Sequence, residues 1–234
     1  MDKPNWSSAL PARSNADYCP KCEYPIRDNY PPCDNCVEQS KTDAEQVKYW
    51  SAQLGGMRAW KDYLDSKFVK TDYNLAAYTA IKEWNRYESN LFLSGPRGVG
   101  KSHLAAIAKR PLIMKGIHVL TVCMQDVIAE SMEHIKTAKV ANDWVWKMVK
   151  APVLSLEDLG IEKPSDYVCG FFYRVIDGRY RAGRNGMLVT SNFSLNQLEG
   201  RWAGFDPHGR VTSRLREMCA EYAVLDKDWR AEKK

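Results

Sequence analysis

The sequence predicts an α/β fold: a parallel five-stranded sheet flanked by helices, preceded by a small cysteine-bearing module. Three observations carry that prediction. From residue 71 onward, short apolar runs alternate with helical patterns, as strands buried on both faces do. One such run is followed by a glycine-rich stretch, Gly95 to Ser102, that reads G-x-x-x-x-G-K-S and opens a helix, the pattern of a phosphate-binding loop. Another apolar run delivers two adjacent carboxylates, Glu157 and Asp158.

Composition narrows the classes of function. The chain has 234 residues, 34 Lys+Arg against 29 Asp+Glu, and a formal charge of +5. Its hydrophobic content of 44% excludes wholesale disorder. No apolar run approaches the roughly 18 residues of a membrane span, and residues 1–18 lack the apolar core of a secretory signal. A soluble, cytoplasmic protein with no membrane partner is expected. Three segments are expected: a zinc-binding module over 1–40, a helical linker over 41–70 and a nucleotide-binding domain over 71–234.

Cys19, Cys22, Cys33 and Cys36 form two C-x-x-C knuckles around a ten-residue spacer. A two-residue gap turns both sulfurs onto one ion, so two knuckles complete a tetrahedral zinc site. So short a segment has too little apolar content to fold unaided, which makes a metal staple useful. Paired disulfides suit a reducing compartment poorly, and a redox C-x-x-C belongs in a βαβ setting that is absent here. Cys123, Cys169 and Cys219 are scattered and expected to be buried apolar residues. Over 42–68, Val47, Trp50 and Leu54, then Trp60, Tyr63 and Leu64 after Gly55-Gly56, recur at helical spacing.

Within the larger domain, residues 74–87 read as a helix, Asn90–Ser94 as a strand and Lys101–Met114 as a helix. His118–Cys123 reads as a second strand, followed by a helical region over 125–150. Pro152–Leu156 reads as a third strand, 166–182 as a helix, Met187–Ser191 as a fourth strand and Tyr222–Leu225 as a fifth. In the glycine loop, backbone amides turn inward on phosphate oxygens and the positive helix end adds attraction. Lys101 would reach the β and γ phosphates, and the Ser102 hydroxyl would ligate Mg²⁺. Of Glu157 and Asp158, one would hold the magnesium water shell and the other orient the attacking water. Asn192, after the fourth strand, places an amide near the γ-phosphate or that water.

From about residue 70 the chain resembles the AAA+ ATPases, and among them the helicase loaders of the DnaC/DnaI kind and the transposition helper IstB. The resemblance rests on SGPRGVGKSHLA, on LEDLG at 156–160, on residues 176–198, on GRVTSRLREM at 209–218 and on LDKDWR at 225–230. It implies ATP and Mg²⁺ at a site lined by Gly95, Pro96, Arg97, Gly98, Val99, Gly100, Lys101, Ser102 and His103. It implies that Glu157 takes the magnesium-side Walker B place, Asp158 the water-activating place and Asn192 the sensor 1 place. Arg214 takes the place of an arginine finger that reaches a neighbouring subunit.

The implied activity is ATP hydrolysis. The implied partners are a replicative hexameric helicase, single-stranded DNA and further copies of the chain in an arc or helix. Two departures accompany the resemblance. Glu157-Asp158 inverts the common Asp-Glu order, which shifts both groups by about a methylene and suggests slow hydrolysis. The chain also ends soon after the fifth strand, leaving no room for a helical lid. Two alternatives stand beside the loader: an IstB-like helper that binds duplex DNA, and a nucleotide-gated adaptor with vestigial hydrolysis. Candidate DNA contacts are Lys136, Lys139, Lys147 and Lys150 with Trp144 and Trp146, and a second cluster of Arg179, Arg181 and Arg184.

Overall fold

A computed structural model of the chain describes residues 68–229 and 231, apart from 85, 87, 116 and 134–138. The four N-terminal cysteines, the helices expected over 42–67 and Lys136 lie outside the described residues. In chain order the elements are α1 (Leu75–Glu83), β1 (Asn90–Ser94), α2 (Lys101–Met114), β2 (Val119–Cys123), α3 (Met124–Glu133) and α4 (Lys139–Lys150). They continue with β3 (Val153–Leu159), α5 (Asp166–Arg181), β4 (Met187–Ser191), α6 (Leu195–Trp202), α7 (Arg210–Met218) and β5 (Cys219–Ala223). The five strands form one sheet in the order β2-β3-β4-β1-β5, and every neighbouring pair is parallel.

Side-chain alternation along the central strands supplies two cores. On β1, Leu91 and Leu93 face one way and meet Ala77 and Ile81 of α1 and Leu104, Ala105 and Ala108 of α2. Phe92 faces the other way, into a larger cluster with Val127, Met148, Phe172, Leu198 and Leu215 from α3 to α7. A parallel sheet must be covered on both faces, which explains the apolar runs of the central strands. The start of β1 is tied by a buried asparagine. Asn90 accepts from the Met187 amide (2.8 Å) and donates to the Met218 carbonyl (3.0 Å), joining β1 to β4 and to the end of α7.

Several boundaries differ from the sequence reading. The helix expected over 74–87 stops at Glu83, because Trp84 takes an extended conformation. The helical region expected over 125–150 is two helices, α3 and α4. Strand β3 runs on to Leu159, so Glu157 and Asp158 lie within it rather than after it. The fifth strand is Cys219–Ala223, not Tyr222–Leu225. It begins where α7 ends and pairs Asn90 with Cys219. As an edge strand it leaves Ala220, Glu221 and Ala223 exposed, so it lacks the apolar run that marks the others. Val224, which suggested the later placement, is buried just past the strand and donates to the Ser94 carbonyl (2.7 Å).

Candidate nucleotide site at the carboxyl edge of the sheet

Strands β1, β4 and β3 are neighbours, so the loops leaving their carboxyl ends converge. The loop after β1 is shaped by close approach. Gly95 has φ 149° and lies so near the Val224 carbonyl that a Cβ would stand 2.1 Å from its oxygen. Helix α2 then starts from Gly100, whose left-handed backbone offers no side-chain acceptor to the first amides of the helix. Uncapped amides at a helix start are donors that an anion satisfies, and the helix dipole favours negative charge there. This loop fits a polyphosphate.

Lys101, only 6% exposed, points back across the loop. Its ammonium donates to the carbonyls of Gly95 (2.8 Å) and Pro96 (2.7 Å) and to Oδ1 of Asn192 (2.9 Å). The expected loop cation and the expected strand-end amide are therefore in direct contact. Ser191 sets the turn that carries Asn192. Its buried hydroxyl donates to the Leu159 carbonyl (2.6 Å) and accepts from the Phe193 amide (3.0 Å). Ser102 lies in the first turn of α2, half-buried, and His103 meets Phe68 edge-to-face at 5.1 Å.

The two acids of β3 are held quite differently. Glu157 stands opposite Cys123 of β2 and forms an ion pair with Lys109 of α2 (2.6 Å). Asp158 has φ 57°, and the β3–β4 register slips between Leu156 and Leu159. Such a bulge re-aims side chains at a strand end, and a left-handed non-glycine residue costs about 1 kcal/mol. The Asp158 amide donates to the Thr190 hydroxyl (3.1 Å), anchoring the bulge to β4. The two adjacent acids are thus held by different means, Glu157 by its ion pair and Asp158 by a bulged, left-handed backbone.

Arg214 is not gathered into this site. On α7, its Nη1 pairs with Glu217 (3.1 Å), its Nε lies 3.6 Å from Asp177 of α5, and its guanidinium covers the Tyr180 ring at 4.0 Å. None of these partners belongs to the glycine loop.

The DNA candidates separate as well. Arg179 is fully buried, which removes it from the second cluster. It donates to the carbonyls of Met148 (3.0 Å), Ala151 (2.8 Å) and Asn185 (2.7 Å), binding α4, the approach to β3 and the approach to β4 together. Burial pushes its guanidinium down to about 9. Arg181 pairs with Asp177, and Arg184 donates to the Lys150 carbonyl (3.1 Å). In the first cluster, Trp144 packs half-buried on the core, donates to Glu130 (3.0 Å) and is covered by Lys147. Trp146 is 52% exposed, and Lys139 and Lys147 are exposed on the same helix.

Three features escaped the sequence reading. Lys109 was legible only as a cation about two helical turns inside α2, on the side of the helix that carries Ala105. Thr190 and Ser191 act through hydroxyls that no spacing rule marks. The segment after β5 lies against the glycine loop: the Trp229 amide donates to the Gly98 carbonyl (3.2 Å), and a Cβ on Gly98 would collide with the Asp228 carboxylate. Asp226 secures that segment by accepting from Thr71 (2.7 Å) and Asn74 (2.8 Å). Among the described residues, no group of three or more His, Cys, Asp or Glu is arranged to hold a metal ion.

Comparison with known proteins agrees with this architecture. The model of the IstB-like ATP binding protein family matches residues 41–208. The replicative helicase loader DnaC of Escherichia coli (strain K12) is 24% identical over 151 residues, 63% of this chain and 58% of that protein. A putative insertion sequence ATP-binding protein of Sinorhizobium fredii (strain NBRC 101917 / NGR234) is 26% identical over 149 residues, 64% of this chain and 48% of the relative. The chain thus matches about half to three-fifths of the length of these relatives. The crystal structure of a DnaC helicase loader superposes with a TM-score of 0.58 at 26% identity, covering 73% of this chain and 99% of that one. That of DnaI gives 0.59 at 22% identity, covering 70% and 93%, a likeness of fold. A family match over most of the chain, on a five-stranded parallel sheet with a glycine loop at its carboxyl edge, establishes that the chain belongs to the IstB-like ATP-binding proteins, a family of AAA+ type that shares its fold with DnaC.

Proposed function

We propose that this chain is an ATP-dependent replication factor that places a ring helicase on single-stranded DNA. The observation that carries the reading is the meeting of Lys101 with Asn192 at the mouth of the glycine loop, beside the two acids of β3. In this reading the loop amides and Lys101 bind the triphosphate of ATP, and Asn192 orients its terminal group. The Asp158 carboxylate takes the proton of the attacking water as the bond from the γ-phosphorus to the β–γ bridging oxygen breaks. Ser102 and Glu157 would hold magnesium, which supplies neutralising charge at the phosphates. Cys19, Cys22, Cys33 and Cys36 remain our proposal for a structural zinc site, and Arg214 for the residue offered to a neighbouring subunit. Exposed Trp146, with Lys139 and Lys147 on α4, supplies a stacking surface and charge suited to single-stranded DNA.

Two measurements test the reading. Calorimetric titration with ATP and magnesium should show binding by the wild type and at least a hundredfold loss in Lys101→Ala, since a charge-assisted phosphate contact disappears. Loading assays with a hexameric replicative helicase should then require ATP. Failure of the chain to associate with any such helicase, with or without nucleotide, removes the proposal. A second reading, a helper of transposition, is favoured by the match to an insertion-sequence ATP-binding protein. Preference for duplex over single-stranded DNA in competition binding would select it.

A further inference from the structure

Lys109 is 1% exposed, yet it carries a full ammonium group. Its partners are Oε1 of Glu157 at 2.6 Å and the Thr121 hydroxyl at 3.4 Å. Burying an ammonium demands an opposite charge in good geometry, and Glu157 provides it. The pair is not an ordinary surface contact, because the lysine comes from the glycine-loop helix and the acid sits at the candidate magnesium position. Only one carboxylate oxygen is engaged. Among the described residues Oε2 of Glu157 has no hydrogen bond, and its side chain keeps 21% exposure. A glutamate here also has one more rotatable bond than the aspartate common at this place. The ammonium removes that freedom by fixing one end of the carboxylate.

We infer that Lys109 is a positioning residue for the magnesium site: it holds Glu157 by Oε1, leaves Oε2 for the metal, and by its own charge weakens that acid's attraction for a divalent cation. This inference rests on the proposed nucleotide site. A metal held by Oε2 would share one carboxylate with the ammonium, and like charges on the same carboxylate repel appreciably in a partly desolvated site. The site would therefore fill at a higher magnesium concentration than one with an unencumbered acid. The inverted acid pair and the buried lysine then form one device. The longer side chain reaches its counter-ion, and the counter-ion sets where the longer side chain ends.

The test is the magnesium dependence of nucleotide binding, with a fluorescent mant-labelled ATP and magnesium chloride on the full chain. Lys109→Met removes the charge at nearly constant length, and Lys109→Gln does so while keeping a donor, so either reports if the other folds poorly. Both are expected to lower the magnesium midpoint roughly tenfold, whereas Lys109→Arg stays within about twofold of wild type because the charge remains. In a Glu157→Gln background the Lys109→Met shift should shrink without vanishing, since the part that acts through the carboxylate is lost while the direct repulsion of the metal by the ammonium remains. A lowered melting temperature with an unchanged or raised midpoint in both neutral variants would reduce Lys109 to a structural counter-ion and overturn the inference. A wild type that binds nucleotide at no magnesium concentration overturns the site itself, and this inference with it.

Discussion

Glu162, four residues past the bulged acid of β3, shows how single side chains at this edge are stressed. It is buried, its Oε2 accepts from the Gly160 amide (2.9 Å), and its Oε1 has no partner among the described residues. Burial pushes its carboxyl above the usual range, with the Gly160 amide and the nearby Arg201 guanidinium opposing only part of that rise. An acid whose folded value lies above its unfolded value contributes stability at low pH, and loses it as pH rises through the folded value. Glu162→Gln should therefore match wild type near the unfolded carboxyl pKa of about 4 and become the more stable chain toward neutrality. Urea unfolding at the two pH values checks it, and a gap that fails to widen with pH refutes it. The acids themselves were legible in the sequence because a pair of carboxylates after an apolar run is conspicuous. Their different settings were not, because the left-handed backbone of Asp158, the slip in strand register and the buried Lys109 beside Glu157 are facts of the fold, which composition does not record.

Helix α5 carries the same lesson at the scale of an element. Arg179 looked like part of a solvated basic run, yet Phe172, Val175, Ile176 and Arg179 occur at helical spacing i, i+3, i+4 and i+7 and are all buried. Periodicity placed the position inside; residue type argued for outside, and the three carbonyls that accept from it decided the matter. Those carbonyls come from the end of α4 and the approaches to β3 and β4, which no local pattern brings together. Arg179→Ala should cost about 3 kcal/mol or more by denaturant unfolding, since carbonyls and a cavity are left without partners. DNA binding by protein that remains folded should be unchanged. A loss of DNA affinity at constant stability would return Arg179 to the nucleic-acid surface. Strand reading fared unevenly for a related reason. Central β1 and β4 are buried throughout and announced themselves with apolar runs at the observed positions, whereas β5, at the edge, is half polar and was displaced by the buried Val224.

For the molecule as a whole, the strand order gathers Lys101, Asn192 and the acids of β3 at one edge, while Arg214 stays on α7 against α5. The loop, the acids and the amide were recognisable because each comes at the end of an apolar run and carries its own local motif; the separation of Arg214 emerges only from the packing of α7. If Arg214 serves a neighbour's nucleotide, each working site needs an intact loop from one chain and an intact arginine from the next, across a head-to-tail contact. Lys101→Ala and Arg214→Ala chains should each be inactive alone. Mixed in equal amounts and allowed to exchange, they should recover turnover, because a random neighbour pair combines an intact loop with an intact finger in about a quarter of cases. Recovery near that level assigns Arg214 to the adjoining subunit. Co-assembly shown by crosslinking but without recovered turnover would mean that Arg214 serves its own chain, through Asp177 and Tyr180, or contributes only to the packing of α7 on α5.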